Sequence, residues 1–405
     1  MWSKEQEGAL DAVNHWFKGL NRSKPFYLAG YAGTGKTTLA KYFAENIQGD
    51  VRFAAFTGKA ASVLRDKGCP GATTLHSLIY RPVGTSNEKR MLEIKEEIEA
   101  ELKLGSEIDI PKLEKLRAEL REIEKISRAM FELRGKYDAP AIENAELVIL
   151  DECSMIDEQM RDDLLTFKIP LLVLGDPAQL PPVNGKGAWI NEEPDYLLTE
   201  IHRQAQDSNI LKLAHEIRKG NPAALMETED CIVRPKADLD WDLLVQADQV
   251  ITGRNATRHK LNRIMRKKLG HEKLYPVVGD KLICLKNDHE EGLLNGVTCT
   301  CLEDSEKTGN IIMLNILYED SEKDFYCDPG HFEETYYDKR ISYPKYGAVQ
   351  HFDYGYAITG HKSQGSQWPT VLVCDDKMRM TDPIMRSKWL YTVVTRAEKK
   401  LILYS

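Results

Sequence analysis

Residues 30 to 37 read Gly30-Tyr31-Ala32-Gly33-Thr34-Gly35-Lys36-Thr37, a G-x-x-x-x-G-K-T pattern set directly behind the apolar run Phe26-Tyr27-Leu28-Ala29. Three glycines let the backbone fold tightly enough for successive N–H groups to converge on phosphate oxygens. Thr38-Leu39-Ala40-Lys41-Tyr42-Phe43 continues as a helix whose positive end faces the same anion. The pattern predicts a cradle for a nucleoside triphosphate, with Lys36 reaching the β- and γ-phosphates and Thr37 offering its hydroxyl to Mg²⁺. Gly30, Ala32, Gly33, Thr34, Gly35 and Thr38 make up the rest of the expected contacts. A glycine-rich turn with a chance lysine would carry the same letters, but not the strand before it and the helix after it.

Two more segments suit the same chemistry. Leu147-Val148-Ile149-Leu150-Asp151-Glu152 ends an apolar strand in two carboxylates. Asp151 is suited to hold Mg²⁺ through water, and Glu152 to orient and deprotonate a water that attacks the γ-phosphate. A small-molecule kinase would use the same cradle, but an adjacent carboxylate pair favours water activation. Gly175-Asp176-Pro177-Ala178-Gln179-Leu180-Pro181-Pro182-Val183 follows another apolar strand, and its prolines make a stiff loop able to hold Gln179 against the γ-phosphate.

The elements that must position these groups alternate as strand and helix. Val51 to Phe56 reads as a strand followed by a helix opening at Thr57-Gly58-Lys59, and Glu146 to Leu150 and Leu171 to Leu174 are further buried strands. Polar residues at the carboxyl ends of such strands are where a doubly wound parallel sheet builds its site. Asn87 to Lys136 interrupts the pattern with dense mixed charge. Leu113, Leu116, Leu120 and Ile123 recur at helical spacing, as do Ile94, Ile98 and Leu102, predicting a two-helix antiparallel arm; a solvated, salt-bridged spacer would have the same composition. A second α/β half begins near Ile201, with strands at Gln249 to Thr252, Thr370 to Cys374 and Leu401 to Tyr404. Inside it, short strands at Lys281 to Leu285, Val297 to Thr300 and Ile311 to Leu314 predict a small β-barrel.

The net charge of −8 at first opposes a nucleic-acid partner, but it is unevenly placed. Cys301 to Arg340 holds eleven acids and four bases, a net −7, which leaves the remainder near balance. Arg254 to Lys268 carries seven bases and no acid; a phosphate-facing patch and a solvated helix face fit it equally. Eight dispersed cysteines without a C-x-x-C pair point to reduced thiols rather than a zinc site. The charged opening stretch and the lack of a long apolar run predict a soluble, cytoplasmic chain without a signal peptide or a membrane partner.

Taken together with Tyr354-Gly355-Tyr356-Ala357-Ile358-Thr359-Gly360-His361-Lys362-Ser363-Gln364-Gly365 and Leu390-Tyr391-Thr392-Val393-Val394-Thr395-Arg396-Ala397, these segments resemble superfamily 1B DNA helicases of the RecD and Dda type. They occur in that family's order from residue 6 to residue 400. The resemblance implies an α/β fold of two RecA-like P-loop NTPase domains, 1–85 plus 137–200 and 201–278 plus 344–405. A charged helical arm at 86–136 and an SH3-like β-barrel at 279–343 would be their insertions. It assigns Gln6 to the adenine edge, Arg203 and Arg396 to the γ-phosphate, and Gln364 and Gly365 to coupling between nucleotide and second domain. It gives Phe56, Thr57, Lys59, Thr74, His76, Thr359, His361, Lys362 and Ser363 to a single nucleic-acid strand, through phosphate contacts and base stacking.

The same resemblance implies an ATP- and Mg²⁺-dependent monomer that translocates 5′ to 3′ on single-stranded DNA, opens tailed duplexes and works beside replication or recombination proteins. The residues alone leave other readings open: a translocase on RNA, one that strips proteins without opening duplex, or a nucleotide-switched binding module. Intact Glu152, Gln179, Arg203 and Arg396 speak against the last. One departure stands out, because the charged arm occupies the place where that family carries a compact β-hairpin wedge.

Overall fold

A computed structural model describes residues 2–19, 22–82, 94, 97–98, 100–101, 110–128, 131–134, 142, 144–182, 187–201, 207–286, 293, 295–309, 311–318, 321–333, 349–376 and 382–405. The chain divides into two compact units, Met1–Ile79 with Gly135–Met265 and Tyr356–Ser405, and Tyr80–Arg134 with Arg266–Gly355.

The first unit contains two sheets. The first runs in the order Thr73–Thr74, Asp50–Ala55, Ala145–Asp151, Leu171–Gly175, Phe26–Gly30, Tyr196–Leu198, all neighbours parallel. Its central strands are buried on both faces, which is why they read as unbroken apolar runs. Phe26, Leu28, Leu147, Ile149, Leu172 and Leu174 point to one face, where they meet Ala9, Val13, Leu39, Phe43 and Leu64 from the flanking helices. The register pairs Ala55 with Asp151 and Ala29 with Gly175, so the strands carrying the chemistry end along one edge.

The second sheet is ordered Ala357–Thr359, Gln249–Thr252, Trp368–Cys374, Ala397–Tyr404, Cys231–Arg234, Met226–Glu227, parallel except for the last pair. Against it lie the helices Asn209–Arg218, with buried Ile210, Leu213 and Ile217, and Pro383–Val394, with Trp389 to Val394 all buried. Asp382 caps the second of these helices, with Pro383 at its first turn, where a missing N–H costs nothing.

The second unit is antiparallel in its β part. Lys307–Thr308, Ile311–Tyr318, Thr298–Cys301, Lys281–Cys284 and Phe352–Tyr354 form one sheet, with Ser321–Cys327 also paired to Ile311–Tyr318. Phe352–Tyr354 lies beyond the interval 279–343 expected for this insertion, since its three residues run straight into the following Gly355-Tyr356 segment and give no separate strand signal. In the charged arm, the helix Ile110–Arg128 buries Leu113, Leu116 and Leu120 against Ile94 and Ile98. Leu102 and residues 103–109 lie outside the described residues. Among the described residues a ribbon of Tyr80–Pro82 with Phe131–Leu133 is a further element beside the helix, with no sequence signal longer than three residues.

The basic stretch Arg254 to Lys268 forms the helix Asn255–Lys268, and it is neither a uniform patch nor a uniform solvated face. Lys260, Arg263, Lys267 and Lys268 are exposed, while Arg258 and Arg266 are buried. Asp280 accounts for Arg266: its fully buried carboxylate accepts from Arg266 Nε at 2.9 Å and Nη2 at 2.8 Å, lies 2.8 Å from His271 Nδ1, and accepts from the Val277 N–H. All eight cysteines are buried free thiols. Among the described residues no helix is long and apolar enough to cross a membrane.

Candidate nucleotide site and nucleic-acid segments

Every part of the phosphate loop lies in the first unit. Gly33 and Gly35 sit at φ 79° and 85°, the left-handed region that lets the loop turn into the helix Lys36–Glu45 without a side-chain cap. A Cβ at Gly35 would also lie 2.9 Å from Gln6 Nε2, and one at Gly33 2.8 Å from Leu211 Cδ1. Thr34 is fully buried and donates from Oγ1 to Tyr31 O. The cleft in front of the loop has a volume of about 310 Å³, and Lys36, Thr37, Asp151, Glu152, Gln179, Gly365 and Arg396 are among its lining residues.

The polar groups in the cleft are already connected. Thr37 Oγ1 donates to Asp151 Oδ2 at 2.8 Å, and Asp151 Oδ1 accepts the Glu152 N–H at 2.8 Å. Lys36 Nζ is folded back on the loop carbonyls of Gly30 (2.6 Å) and Tyr31 (3.1 Å). Glu152 is held at φ 55°, one of two described non-glycine residues in the left-handed region, a strain that fixes its direction beyond the strand end. Its Oε1 lies 3.9 Å from Arg396 Nη1. With the Gln179 amide nitrogen turned to Glu152, that amide donates to Oε2 at 3.2 Å and accepts from Arg396 Nη2 at 3.2 Å. Enclosure pushes the Glu152 carboxyl above its usual range; Arg396 opposes the rise, Asp151 adds to it, and Lys36 and Asp176 act more weakly.

Lys36, Thr37, Asp151, Glu152, Gln179 and Arg396 come together in one cleft. Gln6 reaches the loop, but its amide is engaged in a capping box with Ser3 and donates to Thr34 O at 3.1 Å. Arg203 lies outside the described residues.

The segments expected to hold a nucleic-acid strand stand at strand ends. Phe56, Thr57 and Lys59 follow the strand Asp50–Ala55; Phe56 and Lys59 are half-buried, and Thr57 Oγ1 caps the helix Gly58–Asp66. Thr74 binds Ser77 through both its hydroxyl and the Ser77 N–H, opening the short helix that holds half-buried His76. Thr359, His361 and Lys362 are half-buried, and burial holds the His361 imidazole below its usual value, favouring the neutral ring. Ser363 differs from expectation: it is fully buried and donates to Gly360 O at 2.7 Å, so its hydroxyl closes the turn instead of facing outward.

Gln364 and Gly365 link the two sheets. Gln364 Nε2 donates to Leu180 O at 2.9 Å, and a Cβ at Gly365 would lie 2.9 Å from Ala60 Cβ. Three residues without an assigned role join them. Tyr391 Oη donates to Asp176 Oδ2 at 2.7 Å and accepts from the Ala32 N–H at 2.8 Å, while Thr392 Oγ1 accepts from the Leu180 N–H at 3.0 Å. Tyr391 and Thr392 stood inside a quoted motif and Asp176 at a strand end, but only the fold reveals that they meet.

Comparison with known proteins agrees with this layout. The model of the AAA domain family matches residues 11–232, and that of the UvrD-like helicase C-terminal domain matches residues 354–404. An ATP-dependent RecD2 DNA helicase of Deinococcus radiodurans is 25% identical over 434 residues, covering 98% of this chain and 48% of the relative. Protein R530 of Acanthamoeba polyphaga mimivirus is 30% identical over 176 residues, 41% of this chain and 31% of its own. The chain thus spans about half the length, or less, of these curated relatives. Among solved structures, a Pif1 helicase from Bacteroides in complex with ADP-AlF3 and single-stranded DNA superposes with TM-score 0.55 at 17% identity, over 100% of this chain and 92% of that one. A Pif1 helicase from Candida albicans gives 0.50 at 17% identity, over 100% and 95%. At that identity the likeness concerns the fold, a parallel-sheet RecA-like core. The chain belongs to the AAA-domain family, and its residues 354–404 are similar to the UvrD-like helicase C-terminal domain.

Proposed function

We propose that the chain is an ATP-dependent DNA translocase and helicase that moves 5′ to 3′ along single-stranded DNA. The observation that supports it most is the meeting of Lys36, Thr37, Asp151, Glu152 and Gln179 with Arg396 of the other sheet in one cleft, since hydrolysis there would be sensitive to how the two sheets close. The RecD2 relative is named an ATP-dependent DNA helicase, and the Pif1 relative from Bacteroides is described with single-stranded DNA.

In this reading the N–H groups of the loop hold the phosphates of ATP and Lys36 leaves its carbonyls for phosphate oxygens. The hydroxyl of Thr37 would hold Mg²⁺ and the carboxylate of Asp151, 2.8 Å from that hydroxyl, would hold it through water, oxygen donors of the kind this ion takes. Bound there, Mg²⁺ would neutralise phosphate charge. Glu152 accepts a proton from the attacking water, Gln179 aligns that water between Glu152 and Arg396, and Arg396 with Arg203 offsets charge on the γ-phosphate. Gln6 faces the adenine. Phe56, Thr57, Lys59, Thr74 and His76 on one sheet and Thr359, His361 and Lys362 on the other grip the strand alternately. The RecA-like domains are 1–85 plus 137–200 and 201–278 plus 356–405, with the arm at 86–136 and an SH3-like β insertion that begins at 279 and extends past 343 to take in the strand Phe352–Tyr354.

Steady-state phosphate release with single-stranded DNA, single-stranded RNA or neither tests the reading. DNA should raise turnover by tenfold or more, less so at high salt, and Lys36→Ala should remove it. Equal stimulation by RNA would replace the DNA assignment, and turnover indifferent to either would leave a nucleotide-switched module.

A further inference from the structure

We infer that Tyr391 is a positioning residue that ties the phosphate loop and the Gln179 loop to one helix of the second sheet, so that strand binding there sets the geometry of hydrolysis. The inference rests on the proposed function and deepens it.

The hydroxyl of this tyrosine is sealed from solvent. Tyr391 is 2% exposed and Asp176 is 2% exposed, so the bond between them is shielded from bulk water, while the bond to the Ala32 N–H is half-buried. Burial first, and the Asp176 charge second, raise the phenol well above its usual value, so it stays neutral at any working pH. Its bond directions are therefore fixed: the O–H donates to Asp176 and a lone pair accepts from Ala32. Asp176 turns its other oxygen to the Ala178 N–H at 3.0 Å, and its own carbonyl accepts the Gln179 N–H at 3.1 Å. One tyrosine thus touches the loop before Lys36 and the residue that shapes the turn holding Gln179.

The neighbours of Tyr391 act in the same direction. Thr392 accepts from the Leu180 N–H, and Arg396 donates from Nε to Thr392 O at 2.9 Å, so the arginine rides on the same helix end. From the other side, the helix Asn209–Arg218 stacks Arg218 on the Tyr31 ring at 3.7 Å and sets Leu211 against Gly33. Residues 31, 32 and 33 are each held by a side chain from the second half of the chain. A shift of the helix Pro383–Val394 must therefore move the phosphate loop, Asp176 and Leu180 together.

The test compares wild type, Tyr391→Phe, Asp176→Asn and the double variant, reading fluorescent ADP affinity, ATP KM and kcat with saturating single-stranded DNA, and melting temperature. The phenylalanine keeps the ring and loses only the tie. The expected result is ADP affinity and KM within threefold of wild type, with DNA-stimulated kcat at least tenfold lower in each single variant and no further loss in the double, because both remove one link. Undiminished stimulation in Tyr391→Phe, or losses of affinity and turnover in proportion, would overturn the inference. Should Tyr391→Phe not fold, Asp176→Asn alone decides by the same split of KM against kcat. A wild-type enzyme that DNA does not stimulate would remove the functional reading, and the inference with it.

Discussion

At the residue scale the proposed chemistry centres on Glu152. Its left-handed backbone accompanies a carboxylate that lies against Gln179 and Arg396. A carboxyl whose enclosure raises its pKa is a better proton acceptor near neutrality than an ordinary one. The sign follows directly: the base form is lost as pH falls through the raised value, so the acid limb of the turnover profile should lie above the ordinary 4.5. Glu152→Gln should keep nucleotide affinity and lower turnover by about a hundredfold or more, general-base assistance being worth about 10²–10⁴. A pH-rate series on wild type, with nucleotide binding measured on the variant, checks both. Gly35→Ala acts on the cradle itself. The left-handed φ and the approach of Gln6 predict at least a tenfold loss of nucleotide affinity with the fold retained, read by fluorescent ADP titration.

At the element scale the buried pair of Arg266 and Asp280 anchors the segment that leads into the antiparallel sheet. Burial alone would raise the Asp280 carboxyl, but bonds from Arg266, His271 and the Val277 N–H outweigh it and hold the group below its usual value. A depressed carboxyl gives stability that is present above its unfolded value and lost as pH falls through its folded one. Asp280→Asn leaves a buried guanidinium without its counter-charge and should cost about 3–5 kcal/mol in urea unfolding of the second unit; a cost near zero would show that solvent reaches the pair. Leu120→Ala should destabilise the arm by about 2–5 kcal/mol, with basal turnover unchanged, read by hydrogen exchange over Ile110–Arg128.

The parallel strands were legible because burial on both faces leaves an unbroken apolar run, as in Leu147 to Leu150 and Leu171 to Leu174. Ser321–Cys327 was not, because along its length it pairs with Ile311–Tyr318, with a single bridge from Cys327 to Gln350, and leaves Ser321, Glu322 and Asp324 in water, so its letters read as an acidic loop. Cys231–Arg234 is four residues long and preceded by acids, too short to stand out, yet it pairs with Ala397–Tyr404 in the interior of its sheet. The cradle was legible for another reason. Its glycines, lysine and threonine are neighbours in the chain, whereas the Tyr391 tie joins residues 32, 176 and 391, and charge counting could not anticipate that Arg266 turns inward to Asp280.

For the molecule as a whole, hydrolysis in the cleft is proposed to be geared to movement on one strand of DNA. The decisive experiment is ATP-dependent strand displacement on duplexes with a 5′ single-stranded tail, a 3′ tail or no tail, with Glu152→Gln as control. The expected outcome is opening of the 5′-tailed duplex alone, abolished in the control. DNA-stimulated hydrolysis without opening of any of the three would contradict the helicase assignment and leave a translocase.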